Sequence, residues 1–326
     1  MIYYFEASSL PTMEQIDAVA RLTPYTPFNT PFYAAARAAM GERPCLLELR
    51  AGSNIISGCL GFLRGGFLSR CLQIVTAPRP SEPEGFWNGI REFCQKQGVW
   101  ELSIQSFCSD ATVIPSMPGE LTRRSRCEYV IDLTSADPFG RISTNHRRNI
   151  NRARKADLII KRTRETKASQ VHLKLIHASI QRRKDRGEDL AIPRDTRYFE
   201  ALLRCGAAEL FHATNREKVF SPILIVRSSS SAYYQSAGTS PEGMSMGTSP
   251  FLISEVARIL RDEGLRLFNL GGADPTDQGL RRFKAGFGAR EVILEAATFS
   301  MVGPIKRKLR TGMKRIRQGL RCLLQN

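Results

Sequence analysis

Between residues 232 and 270 the pattern of apolar and polar positions changes period twice. Ala232 to Ala237 alternates aromatic or small residues with polar ones, the two-residue period of a half-buried strand. Phe251, Leu252, Val256, Ile259 and Leu260 then recur at helical spacing. Ser249 and Pro250 fit the N-cap and first position of that helix, and Gly264 fits its left-handed end. Leu265 to Leu270 returns to strand and runs into Gly271-Gly272. The predicted unit is strand, Gly/Ser/Pro/Met loop, helix 250–263, strand. The first turn of a helix leaves backbone N–H groups free and carries a partial positive charge, which suits a phosphate. Gly247, Thr248 and Ser249 would form the approach to it. An ordinary strand–helix–strand crossover with a flexible loop accounts for the same pattern.

The rest of the chain reads as further short elements. A first strand at 1–5 precedes a helix at 12–22, an irregular proline-rich stretch and an alanine-rich helix at 32–40. Strands with glycine turns occupy 43–75, a helix 82–97, and a strand 100–107. After a proline-containing segment come a strand at 128–133, a basic helix at 145–156, helices at 166–186 and 195–205, and strands at 208–213 and 220–226. This divides the chain into an α+β domain at 1–130, a second at 131–303, and a tail at 304–326. In the tail Ile305, Leu309, Met313, Ile316, Leu320 and Leu323 form an apolar stripe among lysines and arginines, with no acidic residue. Such a basic amphipathic helix lies on an acidic membrane or packs its stripe on the protein body.

At 326 residues there is length for two ordinary cores. No apolar run reaches the roughly 18–20 residues of a membrane span, and the N-terminus has no secretory pattern. The eight cysteines show no C-x-x-C spacing, which argues for buried thiols in a reducing cytoplasm. The four histidines form no H-E-x-x-H motif, so no metal is expected. A net charge of +17 points to polyanionic partners: nucleic acid, an acidic membrane surface or phosphorylated small molecules. NHRRNINRARKA concentrates that charge, and Arg147, Arg148 and Arg152 are candidates for an anionic substrate, since guanidinium forks match phosphate and carboxylate. A solvated surface helix is the plainer reading of the same residues.

GLRLFNLGG followed by GLRRFKAGFG resembles the C-terminal half of FemAB-like acyltransferases, tandem-domain members of the GNAT superfamily. The order strand, helices, three-stranded meander, helix, strand is also that of the GNAT fold. The resemblance covers residues 135–300 and extends to 1–130 only in plan. It implies two GNAT-like domains, each a mixed, mostly antiparallel sheet flanked by helices, around a shared cleft, plus the basic tail helix. It implies N-acyl transfer to an amine on a cell-envelope sugar, peptide or polysaccharide precursor. The donor is an acyl-CoA co-substrate or, as the alternative, an aminoacyl-tRNA; no permanently bound cofactor is implied. A different class stays open: a non-catalytic module of this fold holding nucleic acid or acidic lipid. Lys284 matches the lysine of the family's Phe-Lys motif and would stabilise the developing oxyanion. Tyr234 is the candidate proton donor to the leaving group, and Asp274, with Asp277, the candidate acceptor of the amine's proton. The protein is expected in the cytoplasm, peripheral on the inner membrane face if the tail binds lipid.

Overall fold

The computed structural model describes residues 2–66, 69–109, 113–188, 193, 195–215 and 218–303. In chain order the elements begin with β1 Tyr3–Ser8, α1 Met13–Leu22, a 3₁₀ turn Pro27–Asn29 and α2 Pro31–Ala39. Strands β2 Arg43–Ala51, β3 Asn54–Arg64 and β4 Cys71–Ile74 follow, then α3 Pro83–Lys96 and β5 Glu101–Ile104. Next come β6 Glu120–Asp132, α4 Thr144–Arg154, β7 Ile159–Thr163, α5 Ala168–Lys184 and α6 Arg197–Arg204. The last stretch is β8 Ala208–Asn215, β9 Lys218–Arg227, β10 Ser231–Ala237, α7 Pro241–Met246, α8 Thr248–Asp262, β11 Leu267–Ala273, α9 Gln278–Ala285 and β12 Arg290–Ser300. The class is α+β, as the periodicities predict. Among the described residues no helix is long and apolar enough to cross a membrane.

The chain divides into two compact units, and neither is continuous in sequence. Of the described residues, unit 1 takes those within 2–11, 42–125 and 295–303; unit 2 takes those within 12–41 and 126–294. The chain passes between them within β6 and again within β12. A division at residue 130 assigns 12–41 to the first domain, whereas that segment packs with the second. Phe28 meets the Tyr233 ring edge-on at 5.0 Å, and Ser228 and Ser231 donate to the carbonyls of Pro24 and Tyr25.

In unit 1 the strands run in the order β1-β2-β3-β4-β5-β12, antiparallel except for the β4–β5 pair. Helix α3 makes the crossover a parallel pair requires. Its Phe86, Ile90 and Phe93 share one face and join Leu47, Leu72 and Ile104 in the core. Unit 2 repeats the plan in the order β7-β8-β9-β10-β11-β6, with β10–β11 as its parallel pair and α7–α8 as the crossover. Phe251, Leu252, Val256 and Leu260 of α8 pack with Ile131, Ile225 and Phe268 of the sheet and Ile150 of α4. Five of the described cysteines, Cys45, Cys59, Cys71, Cys94 and Cys127, are buried thiols, and burial pushes the Cys45 thiol up to about 11.

Several local expectations change. The loop before α8 contains α7, because Ser240 accepts from the Gly243 N–H as an N-cap and Pro241 starts the helix. Gly247, left-handed at φ +75°, ends α7 and stands as the N-cap of α8. Ser249 is therefore inside α8, and its hydroxyl bonds Thr239 Oγ1 at 2.5 Å instead of capping. Gly264 does end α8 in the left-handed region, at φ +84°, with Leu265 N–H donating back to Leu260. The Phe-Lys segment lies in the C-terminal half of α9. Strands β7 and β12 are further elements beyond those the periodicity predicts. The tail at 304–326 lies outside the described residues.

Candidate active site

The site grows from a split between two parallel strands. β10 and β11 pair over three residues, Ser231–Leu267, Ala232–Phe268 and Tyr233–Asn269, and then stop. Beyond that point β10 continues beside β9 and β11 beside β6, each with a register shift, so facing backbone groups of 234–237 and 270–273 have no partner across the split in the ladder. The Gly-Gly pair at the end of β11 makes this path available. Gly271 sits at φ +73°, and a Cβ there would stand 3.2 Å from both Tyr233 Oη and the Tyr234 carbonyl oxygen. A Cβ on Gly272 would stand 2.8 Å from the Cys127 carbonyl oxygen. Only glycine fits both places.

Lys284 enters this split from α9. It is 6% exposed, donates from Nζ to the Gly272 carbonyl at 2.5 Å, and lies 5.7 Å above the centre of the Tyr234 ring. Burial pulls its pKa down to about 8, against the opposing pull of the Glu128 carboxylate. Glu128 is itself buried and held by Asn269 Nδ2 at 2.7 Å and Arg126 at 2.9 Å. Asn269 also accepts from the Gly271 N–H at 2.8 Å, so one side chain fixes both the carboxylate and the glycine turn. The Tyr234 hydroxyl is pushed up by burial and stays protonated at neutral pH. At that pH Lys284 is mostly an ammonium with three N–H donors, one of them spent on Gly272.

The end of α9 is pinned by a residue the sequence reading passed over. His146 of α4 bonds the Phe283 carbonyl at 2.8 Å and packs 4.3 Å from the Phe287 ring. With a carbonyl as partner its Nε2 carries the proton, and burial lowers its pKa. A Cβ on Gly286 would meet that imidazole at 2.8 Å, which explains a glycine there. The signal is a lone histidine three residues after an N-cap serine, whose aromatic neighbours Phe283 and Phe287 come from the end of α9 and just beyond it, distant in sequence.

Asp274 and Asp277 sit beside this split but have structural duties. Asp274 Oδ1 accepts from the N–H and hydroxyl of Thr276, an Asx turn. Asp277 caps α9 through the Leu280 N–H and accepts from Arg183 at 2.5 Å. Both line a cleft of about 860 Å³ together with Arg183, Arg186, Glu188 and Phe283. The charge of Asp277 reaches Lys284 from there.

The two anion candidates fare differently. Gly247, Thr248 and Ser249 are contiguous, but a Cβ at Gly247 would stand 2.6 Å from the Asn149 carbonyl oxygen, and Thr248 is fully buried. The N-terminus of α8 is thus covered by α4 and α7, and no pyrophosphate fits against that backbone. The three arginines do not converge. Arg147 donates to the Gly140 carbonyl, Arg152 donates across to Ser245 on α7, and Arg148 is exposed.

Residues 140–285 match the family model for the acetyltransferase (GNAT) domain. A search of curated protein sequences gives no match. Among solved structures, FemX aligns at 13% identity with a TM-score of 0.69, covering 90% of this chain and 96% of its own. A tandem GNAT protein from the clavulanic acid biosynthesis pathway aligns at 12% identity and a TM-score of 0.54, covering 93% and 99%. The C-terminal domain of a putative lysylphosphatidylglycerol synthetase from Agrobacterium fabrum aligns at 14% identity and 0.51, covering 90% and 93%. At such identities the likeness is one of fold: residues 140–285 match a GNAT acetyltransferase domain model and the chain folds like FemX and the tandem GNAT proteins, which together support an acyltransferase.

Proposed function

We propose that the chain transfers an acyl group to an amine, with the donor carbonyl seated in the split between β10 and β11 and Lys284 holding the oxygen as it becomes negative. The observation that carries this reading is a lysine nine-tenths buried at the end of an opened parallel strand pair. The amine nitrogen, as the free base, attacks the carbonyl carbon, the bond to the donor's sulfur or oxygen breaks, the proton shed by the amine passes to Asp274 or to solvent, and the leaving group takes a proton. Lys284 stabilises the intermediate and Tyr234 is the candidate proton donor to the leaving group. The adjoining cleft carries Glu188, Asp274 and Asp277, of which Glu188 and Asp277 pair with Arg183, and it is where we place the acceptor amine. We place the acceptor amine on a cell-envelope sugar, peptide or polysaccharide precursor, following the FemAB resemblance.

Two donors fit this chemistry. Acyl-CoA is the usual co-substrate of GNAT domains. The covered N-terminus of α8 favours the second, aminoacyl-tRNA, because a donor whose phosphates lie outside the fold needs no open helix end. The +17 charge supports a tRNA partner as well. Titration of the full chain with CoA and with charged tRNA decides between them. For the chemistry, Lys284→Met is expected to lower kcat by about 10²–10³ while changing donor and acceptor binding only modestly. Donor binding lost with kcat preserved would make the lysine a binding group, and unchanged kinetics would remove it from the reaction.

A further inference from the structure

A second recess, of about 350 Å³, opens on unit 2 where the 137–142 loop meets α4 and α8. It shares no lining residue with the Asp274–Phe283 cleft. Three guanidinium groups line it, from Arg147, Arg154 and Arg258. Each is held without being used up. Arg147 donates to Gly140, Arg154 donates to Glu255 at 3.1 Å, and Arg258 lies over the Phe139 ring at 5.1 Å with Glu255 3.9 Å away. A guanidinium has five N–H donors, so most remain for a ligand. The opposing charges are Asp137 in the lining and Glu255 behind the two arginines. Asp137 is partly occupied by the Phe139 N–H.

An independent observation comes from α8. Ser254 lines the recess, is 2% exposed, and its hydroxyl has no hydrogen-bond partner among the described residues. A helical serine commonly returns its hydroxyl to the carbonyl four residues back. Ser254 does not, and a buried hydroxyl left unpaired is destabilising unless something else accepts from it. A tetrahedral oxyanion resolves this, since it takes the serine O–H and matches guanidinium forks.

We propose that this recess binds a phosphoryl group, that of inorganic phosphate or a small phosphomonoester, with Ser254 and Arg258 as direct ligands and Arg147 and Arg154 closing around it. The inference does not depend on which donor the enzyme uses. The test is calorimetric titration and thermal melting of the full chain with inorganic phosphate and, separately, glycerol 3-phosphate. Saturable binding of either supports the site, and tighter binding of glycerol 3-phosphate identifies an ester as the ligand class. Arg258→Gln is expected to weaken binding about tenfold or more. Ser254→Ala should weaken it several-fold, yet melt no lower than the parent without ligand, because the unpaired hydroxyl is gone. Arg197→Gln, an exposed arginine on α6, should leave binding unchanged. The site is refuted if neither compound binds, if Arg197→Gln weakens binding as much as Arg258→Gln, or if Ser254→Ala binds like the parent.

Discussion

Lys284 should make the enzyme less stable than it would be without it. Its pKa falls from the ordinary 10.5 to about 8 because burial strips the ammonium of water. At about 1.4 kcal/mol per tenfold change in proton affinity, this is a penalty of roughly 3 kcal/mol on the folded state. The side chain is 6% exposed, so solvent screening takes little from that figure. The sign follows from proton counting. Below about pH 8 both folded and unfolded chains hold the proton, and the penalty is present in full. Between 8 and 10.5 the unfolded chain binds more protons, so stability rises with pH; above 10.5 both forms are neutral and the penalty is gone. Lys284→Met removes this term but leaves the Gly272 carbonyl without its donor, a loss of about 1 kcal/mol. The variant should therefore be more stable than the parent by about 2 kcal/mol at pH 7 and slightly less stable above pH 10.5. Urea unfolding of both proteins at pH 7, 8.5 and 10.5 measures the difference directly, and titrating groups remote from Lys284 cancel. A variant less stable at pH 7, or a difference that ignores pH, would falsify the reasoning.

Four further outcomes follow from the geometry. Gly271→Ala should lower stability by about 1–3 kcal/mol in urea unfolding, because alanine must adopt φ +73° beside Tyr233 and Tyr234. His172, fully buried on α5 and bonded to Ser236 at 2.8 Å, has its pKa lowered to about 3 by burial, with the charge of His212 adding to it. Stability should therefore fall as pH drops from 6.5 toward 3, where only the unfolded chain gains the proton, and His172→Gln should flatten that fall in an acid titration. Gly247→Val should lower the melting temperature with or without donor, since its side chain meets Asn149; an unaltered melting temperature would show that α4 yields. Truncation after Gly303 should weaken binding to anionic vesicles in a salt-sensitive way; intact lipid binding with a lower melting temperature would favour packing on the body.

What was legible in the sequence was whatever one element carries by itself. Phe251, Leu252, Val256 and Leu260 announce α8 and do face the core, and Gly264 ends it where a left-handed residue is needed. Lys284 is legible through its motif, and Phe287 anchors the segment at 1% exposure. The start of α8 was misread because two Ser-Pro pairs lie nine residues apart and each can open a helix. Ser240-Pro241 opens α7, and Gly247 then serves both helices, which leaves Ser249 no cap to make. No local rule ranks two such signals; the choice is made by Asn149, which closes over Gly247 from a helix about a hundred residues earlier.

The same distinction explains the site's chemistry. A lysine between Phe283 and a glycine-rich stretch does not reveal that it is buried, because its burial is made by groups it does not neighbour in sequence. Gly271 and Gly272 bend β11 away from β10, Asn269 ties that bend to the Glu128 carboxylate, and His146 holds the end of α9 so that Nζ reaches Gly272. Each of these is an ordinary packing or hydrogen-bonding choice, and together they keep a cation where water cannot relieve it. A fold selected for stability alone would place methionine at 284. That a lysine stands at 284 at a cost of roughly 3 kcal/mol is therefore a physical argument in favour of the proposed role, separate from the motif.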